Sequence, residues 1–190
     1  MTVYTKSYAP PPVNRREILR YAGVRESNTE TEKLLNLCLE EAKGLVYKVC
    51  YAELSVISGD TVDLGFMKTT SKTVKTGLEG CERAIVFAAT VGIAIDRLVA
   101  RYSLLSPSRA LMLQAIGAER VESLCDAFCR DIAGCSEVKP RFSAGYGDFP
   151  IEAQRDIFNF LDCPRKIGVT LTDSMLMSPT KSVTAIFGIQ

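Results

Sequence analysis

Apolar positions recur along the chain first at helical spacing, then at strand spacing, then in a mixture of both. Residues 1–13, with Pro10, Pro11 and Pro12, read as an extended N-terminal arm of polyproline character, and 14–190 as a single domain. Asn14 can cap a short helix through Leu19 and Tyr21 that Gly23 ends. Thr29 and Glu32 have capping-box spacing and open a helix with Leu34, Leu35, Cys38, Ala42 and Leu45 on one stripe. Leu45 to Ala52 is strand-like, and Leu54 to Ile57 and Val62 to Phe66 flank the turn Ser58-Gly59-Asp60 as a hairpin. Ser71 to Leu78 suits a short helix. Arg83 to Ala89 is a continuous β-branched and aromatic run, the pattern of a strand buried in the middle of a sheet.

Two helices follow, Ile93 to Leu105 and, after a Ser106 cap and Pro107, a long one to about Ile132. Within it Gly117 marks either a kink or a close packing point. Lys139 to Pro150 is a loop with four Gly or Pro residues, Ile151 to Leu161 a helix, and Lys166 to Leu171 and Ser182 to Ile189 the last strands. Strands and helices do not alternate regularly. The expected class is α+β, with helices packed around a twisted, mainly antiparallel sheet and gathered on one side of it.

Composition narrows the chemistry. The 190 residues carry 23 basic and 22 acidic side chains, a formal net charge of +1, so no footprint for nucleic acid is visible. There is no histidine, which removes Ser-His-Asp and Cys-His nucleophiles, histidine-ligated metals and the usual neutral-pH base. Met1 to Val13 lacks the pattern of a secretory signal, and the apolar stretch Ala84 to Ile95 is shorter than the ~20 residues that span a bilayer, so a cytoplasmic protein without membrane contact is expected. Seven cysteines, an odd number without a CxxC, read as buried free thiols and give no metal site.

Three segments carry possible function. Gly145-Tyr146-Gly147 lacks the third glycine of a dinucleotide loop, but Arg141 ahead of it has Asp148 as its sole local acidic partner. A guanidinium beside exposed glycine backbone can hold a carboxylate or phosphate. The run from Leu171 to Pro179 mixes turn-forming polar residues with Met175 and Met177, which read as core fillers. Glu119 and Glu122 stand beside Arg120 on an otherwise apolar helix and read as its solvated face, although a carboxylate turned into a cleft could recognise an ammonium or sulfonium group.

Arg141 to Gly188 resembles the activation domain of cobalamin-dependent methionine synthase, in its stand-alone version. Arg141-Phe-Ser-Ala-Gly145-Tyr146 is similar to that family's R-x-x-x-G-Y loop, Ile167-Gly-Val-Thr-Leu-Thr-Asp-Ser174 follows a helix, and Met177-Ser-Pro179-Thr-Lys-Ser182-Val183 fits M-x-P-x-x-S-V. Arg16-Glu-Ile-Leu-Arg-Tyr21 and Phe87-Ala-Ala-Thr90-Val-Gly92 are weaker matches upstream. The resemblance implies reductive reactivation: with S-adenosylmethionine and an electron donor such as flavodoxin or ferredoxin, cob(II)alamin is returned to methylcobalamin. It implies that cobalamin is carried by a partner, a methionine synthase lacking its own activation domain. It also implies that Arg141 binds the carboxylate of S-adenosylmethionine, that the backbone of Ser143, Ala144 and Gly145 touches the ligand, and that Tyr146 sits near the corrin. The family's ligand aspartate and helix glutamate fall on Asn14 and at or beside Glu122, an ungapped alignment placing Ser123 there. A sulfonium methyl and a strongly nucleophilic cobalt need positioning rather than a base, which suits a chain without histidine. Reactivation of another corrinoid methyltransferase, or binding without methyl transfer, stay open as alternatives.

Overall fold

A computed structural model describes residues 1–190. In chain order the elements are β1 (Tyr4–Ser7), α1 (Arg15–Tyr21), α2 (Thr29–Glu41), β2 (Lys48–Ser55), the two-residue strands β3 (Ile57–Ser58), β4 (Val62–Asp63) and β5 (Lys68–Thr69), and α3 (Lys72–Gly77). Then come β6 (Arg83–Thr90), α4 (Ala94–Tyr102), α5 (Pro107–Ala133), α6 (Ala153–Leu161), α7 (Cys163–Ile167), β7 (Thr170–Leu171), β8 (Met177–Ser178) and β9 (Ser182–Ile189). The main sheet has the order β1-β2-β6-β9, and every neighbouring pair is antiparallel.

The sheet is covered on both faces, because its central strands are apolar at successive positions. From Ala84 to Thr90 every residue of β6 is buried. Val49, Ile85, Phe87, Ala89, Ala185 and Phe187 face a core built with α1, α2, α4 and α5, where Phe128 meets Phe87 and Phe187. Cys50, Ala52, Leu54, Val86, Ala88 and Ile186 face a second core completed by α3, α6 and α7. The α+β class holds; the expectation of helices on one side of the sheet does not, since period-2 alternation never separates a polar face along β6.

Several local expectations change. Asn28, not Thr29, caps α2, its side chain accepting from Thr31 N–H at 2.9 Å. Residues expected as a strand from Lys166 to Leu171 instead begin as α7, with Pro164 in the first turn and Gly168 at φ 71° ending it. Ser106 precedes α5, but its hydroxyl makes no cap bond. Gly117 is a close-packing point: a Cβ there would lie 2.8 Å from Lys181 Cγ and 2.9 Å from Ile95 Cγ1. The arm expected at residues 1–13 is extended, but Tyr4–Ser7 pairs with β2 as the edge strand. Five cysteines are buried, Cys129 is partly so and Cys135 is exposed. No helix is long and apolar enough to cross a membrane.

Candidate functional site

The chain after α5 returns along the free edge of β9. Phe142 and Ile186 exchange backbone hydrogen bonds at 2.9 and 2.8 Å, and Lys139 N–H donates to Gly188 at 3.0 Å. In an extended segment successive side chains point to opposite faces. Phe142 is buried in the second core, so Arg141 is directed to the other face, toward α5.

On α5, Glu119, Glu122, Ser123 and Asp126 stand at i, i+3, i+4 and i+7 and share one face. Asn14 and α1 approach that face from the side. Asn14 caps α1 by accepting from Glu17 N–H at 3.2 Å, while its own N–H donates to Glu119 Oε1 at 3.0 Å. The result is a cavity of about 260 Å³ lined by Asn14, Glu17, Tyr21, Glu119, Glu122, Ser123, Asp126 and Arg141. A second cavity of about 550 Å³, running under Pro11 to Arg15, shares Asn14, Ser123 and Asp126 with it. The two adjoin along α5, at a scale usual for small-molecule sites.

The charge arrangement differs from the sequence reading in three ways. Arg141 is paired: its Nη1 donates to Asp126 and its Nη2 to Glu122, both at 2.6 Å. Burial pulls its pKa down, but these bonds outweigh burial and hold it above the ordinary arginine value. Asp148, expected as the arginine's local partner, instead caps α3. Its carboxylate accepts from Ser71 Oγ at 2.7 Å, Lys72 N–H at 2.8 Å and Thr73 N–H at 3.0 Å, and these bonds, those from Thr73 and Ser71 first, hold its pKa far below the usual carboxylate range. Glu119 is not solvated: it is 2% exposed and bound in a bidentate pair with Arg120 at 2.6 Å on both sides.

Arg120 also fastens the arm. Its Nη1 donates to the carbonyl of Pro11 at 2.6 Å and its Nη2 to that of Pro12 at 2.8 Å. Proline has no N–H to donate but keeps its carbonyl as an acceptor, so the triple proline suits such a clamp. Ser123 turns its hydroxyl inward, donating to Glu119 Oε1 at 2.7 Å. Tyr8 and Lys6 both hold Asp131 near the end of α5, the tyrosine at 2.6 Å.

Of the residues singled out in the sequence, Asn14, Glu122 and Arg141 meet at one cavity with Ser123. Ser143, Ala144, Gly145 and Tyr146 do not line it. They form a tight turn in which Tyr146 N–H donates to Ser143 at 3.1 Å and Gly145 N–H to Phe149 at 2.8 Å. Ala144 is buried, whereas Tyr146 is 58% exposed. Gly145 has φ 91° and Gly147 φ 56°, conformations that favour glycine, and a Cβ on Gly147 would lie 2.3 Å from Thr73 Oγ1. Glu17, Tyr21 and Asp126 also line the cavity and were not singled out in the sequence, and Glu119 was singled out as a solvated acid. The spacing of Glu119, Glu122 and Asp126 on one helix face was the available signal for the acids.

The third motif lies elsewhere. Ser182 Oγ is 2.8 Å from the Pro179 carbonyl and 2.9 Å from Thr90 Oγ1, and Thr180 N–H donates to Asp96 at 2.8 Å. It therefore ties β9 to the end of β6 and the start of α4, joining two of the sequence segments quoted above. Met175, at φ 63°, and Met177 are half-buried in the β7–β8 hairpin, where Met177 packs against the second core.

An α+β domain with a charged cleft between α1, α5 and an arginine-bearing loop is thus defined. Residues 138–189 match the family described as vitamin B12 dependent methionine synthase, activation domain. Among solved structures, the MetH reactivation domain bound to AdoHcy is similar with a TM-score of 0.68 at 13% identity, over 99% of this chain and 78% of that one. At that identity the likeness is one of fold. No curated protein matches the chain in sequence. The chain resembles the activation domain of the B12-dependent synthase in sequence through the Arg141 to Val183 motifs, which lie inside the matched residues, and in fold along its length.

Proposed function

We propose that this protein binds S-adenosylmethionine in the α1–α5 cleft and serves as the reactivation component of a cobalamin-dependent methionine synthase, acting in trans on a synthase that lacks this domain. The observation that carries the reading is the convergence of Arg141 with Asn14, Glu122 and Ser123, widely separated in sequence, at one cavity. The family match and the fold shared with a domain seen bound to AdoHcy support it.

The donor set fits the ligand. Arg141 offers a planar fork for a carboxylate, and Glu122 and Asp126, two acids sharing that one arginine, favour a ligand whose sulfonium and ammonium outweigh its single carboxylate. When bound, S-adenosylmethionine supplies an electrophilic methyl, and its acceptor is the reduced cobalamin carried by the partner. The chain itself holds and orients the ligand; it transfers no proton, in keeping with its lack of histidine. The exposed Tyr146 and Leu176 lie on loops joined through the start of α6 and the turn before it, where Gln154 Nε2 donates to the Met175 carbonyl at 3.4 Å and a Cβ on Gly145 would meet Ile151 at 3.2 Å. We assign this side to the cobalamin-bearing partner. A flavodoxin or ferredoxin would supply the electron, and the setting would be the cytoplasm.

Calorimetric titration with S-adenosylmethionine tests the reading. Binding is expected in the wild type and at least ~10-fold weaker in Arg141→Ala, the scale of a charge-assisted hydrogen-bond pair. No binding, either alone or with a cobalamin-loaded synthase fragment, overturns it.

A further inference from the structure

We infer that Glu122 and Asp126 form a latch on Arg141 that selects ligands carrying both an ammonium and a carboxylate. The inference rests on the reading of the cleft as an S-adenosylmethionine site and adds the residues that set its head-group specificity.

In the protein without ligand both terminal nitrogens of Arg141 are engaged, one by each acid, at 2.6 Å. An approaching carboxylate meets two negative charges at the fork it needs. An approaching ammonium meets acids already committed to the guanidinium. A zwitterion resolves both conflicts: its carboxylate takes the fork, and the released acids take its ammonium. Every charge keeps a partner, so no desolvated charge is stranded.

Exposure favours exchange at these residues. The side chains of Glu122 and Asp126 are 42% and 51% exposed against 27% for Arg141, so the acids form the outer, movable half of weak surface pairs. Glu119 cannot take this role. It is buried and already accepts from Arg120, Ser123 and Asn14 N–H. Ser123 cannot either, because its hydroxyl is spent on Glu119. Glu17 is paired with Arg20 at 2.7 Å and does not touch Arg141. The acids that can exchange on the arginine are therefore Glu122 and Asp126, one helical turn apart and both bonded to it.

The test is titration of the whole protein with S-adenosylmethionine and with its decarboxylated analogue, which keeps the ammonium and sulfonium but has no carboxylate. Wild type, Arg141→Gln and the double variant Glu122→Gln/Asp126→Asn are compared, with circular dichroism confirming that each is folded. Arg141→Gln is expected to weaken S-adenosylmethionine by about tenfold and to tighten the analogue by about threefold, since freed acids become available to its ammonium. The double variant is expected to weaken both. Movement of both ligands in the same direction in Arg141→Gln, or an unchanged or raised S-adenosylmethionine affinity in the double variant, overturns the latch while leaving the site intact. Absence of S-adenosylmethionine binding to the wild type, with and without the cobalamin-loaded fragment, overturns the site and the latch together.

Discussion

Arg120 and Arg141 reach the same face of α5 with the same chemistry and opposite exposure. Arg120 and its partner Glu119 have side chains 4% and 3% exposed, whereas Arg141 is 27% exposed and its partners more so. The first is sealed by proline carbonyls, an asparagine N–H and a serine hydroxyl, and three of these bonds hold the N-terminal segment to the helix. The second opens on the cleft and has only its two acids. Burial makes one arginine a fastener, and access to solvent leaves the other exchangeable. The cleft needs both, because the arm fastened by Arg120 supplies Asn14 as one of its walls.

Substitution should separate the two roles. Arg120→Met leaves Glu119 buried without its partner and should cost about 3–5 kcal/mol in urea denaturation, the scale of a broken buried pair. An equal loss in Arg141→Ala would erase the distinction. That variant should instead change stability by less than about 1 kcal/mol while losing most S-adenosylmethionine affinity in titration. Gly147→Ala probes the anchoring of the Arg141 loop from its other end. It forces a side chain into a left-handed conformation against Thr73 and should cost about 1–3 kcal/mol, read as a lowered melting temperature. Asn14→Ala removes the α1 cap and should cost about 1 kcal/mol, with a smaller effect on ligand affinity than Arg141→Ala.

The smallest effect should be one of pH. Asp148 in the folded chain has a pKa below its unfolded value of about 4, so its stabilisation is complete above that value and is lost as pH falls through the folded one. Melting curves between neutral and strongly acidic pH should show the wild type losing more stability on acidification than Asp148→Asn. Parallel curves would mean that the cap on α3 contributes nothing to holding the loop.

Much of the element pattern was legible without coordinates. The capping asparagine of α1, the long apolar helix with its proline start, the buried run of β6 and the last strand β9 all follow from local periodicity and turn residues. Lys166 to Leu171 misled in its first part alone: Lys166 and Ile167 close the short α7 that Pro164 and Gly168 delimit, while Thr170 and Leu171 do form a strand, β7. Glu119 misled for a different reason: an acid beside an arginine on an apolar helix reads as solvated unless something is known to cover it, and here the arm buries Glu119 and Arg120 as a pair. Arg141 could be singled out by its glycine-rich neighbourhood, but its pairing with α5 could not.

The sequence by itself determined the kind of chemistry: no histidine, no metal-binding spacing, an arginine ahead of a glycine turn, and motifs shared with the activation domain of the B12-dependent synthase. Which residues share the cleft was decided by tertiary structure alone. Arg141 joins Glu122 and Asp126 because Phe142 pairs with Ile186 and strand alternation turns the arginine toward α5. Asn14 joins them because a buried ion pair more than a hundred residues away grips the prolines before it. Local periodicity encodes which face a side chain takes. It does not encode which distant element will stand opposite, and charge partners in this cleft are set by that second fact.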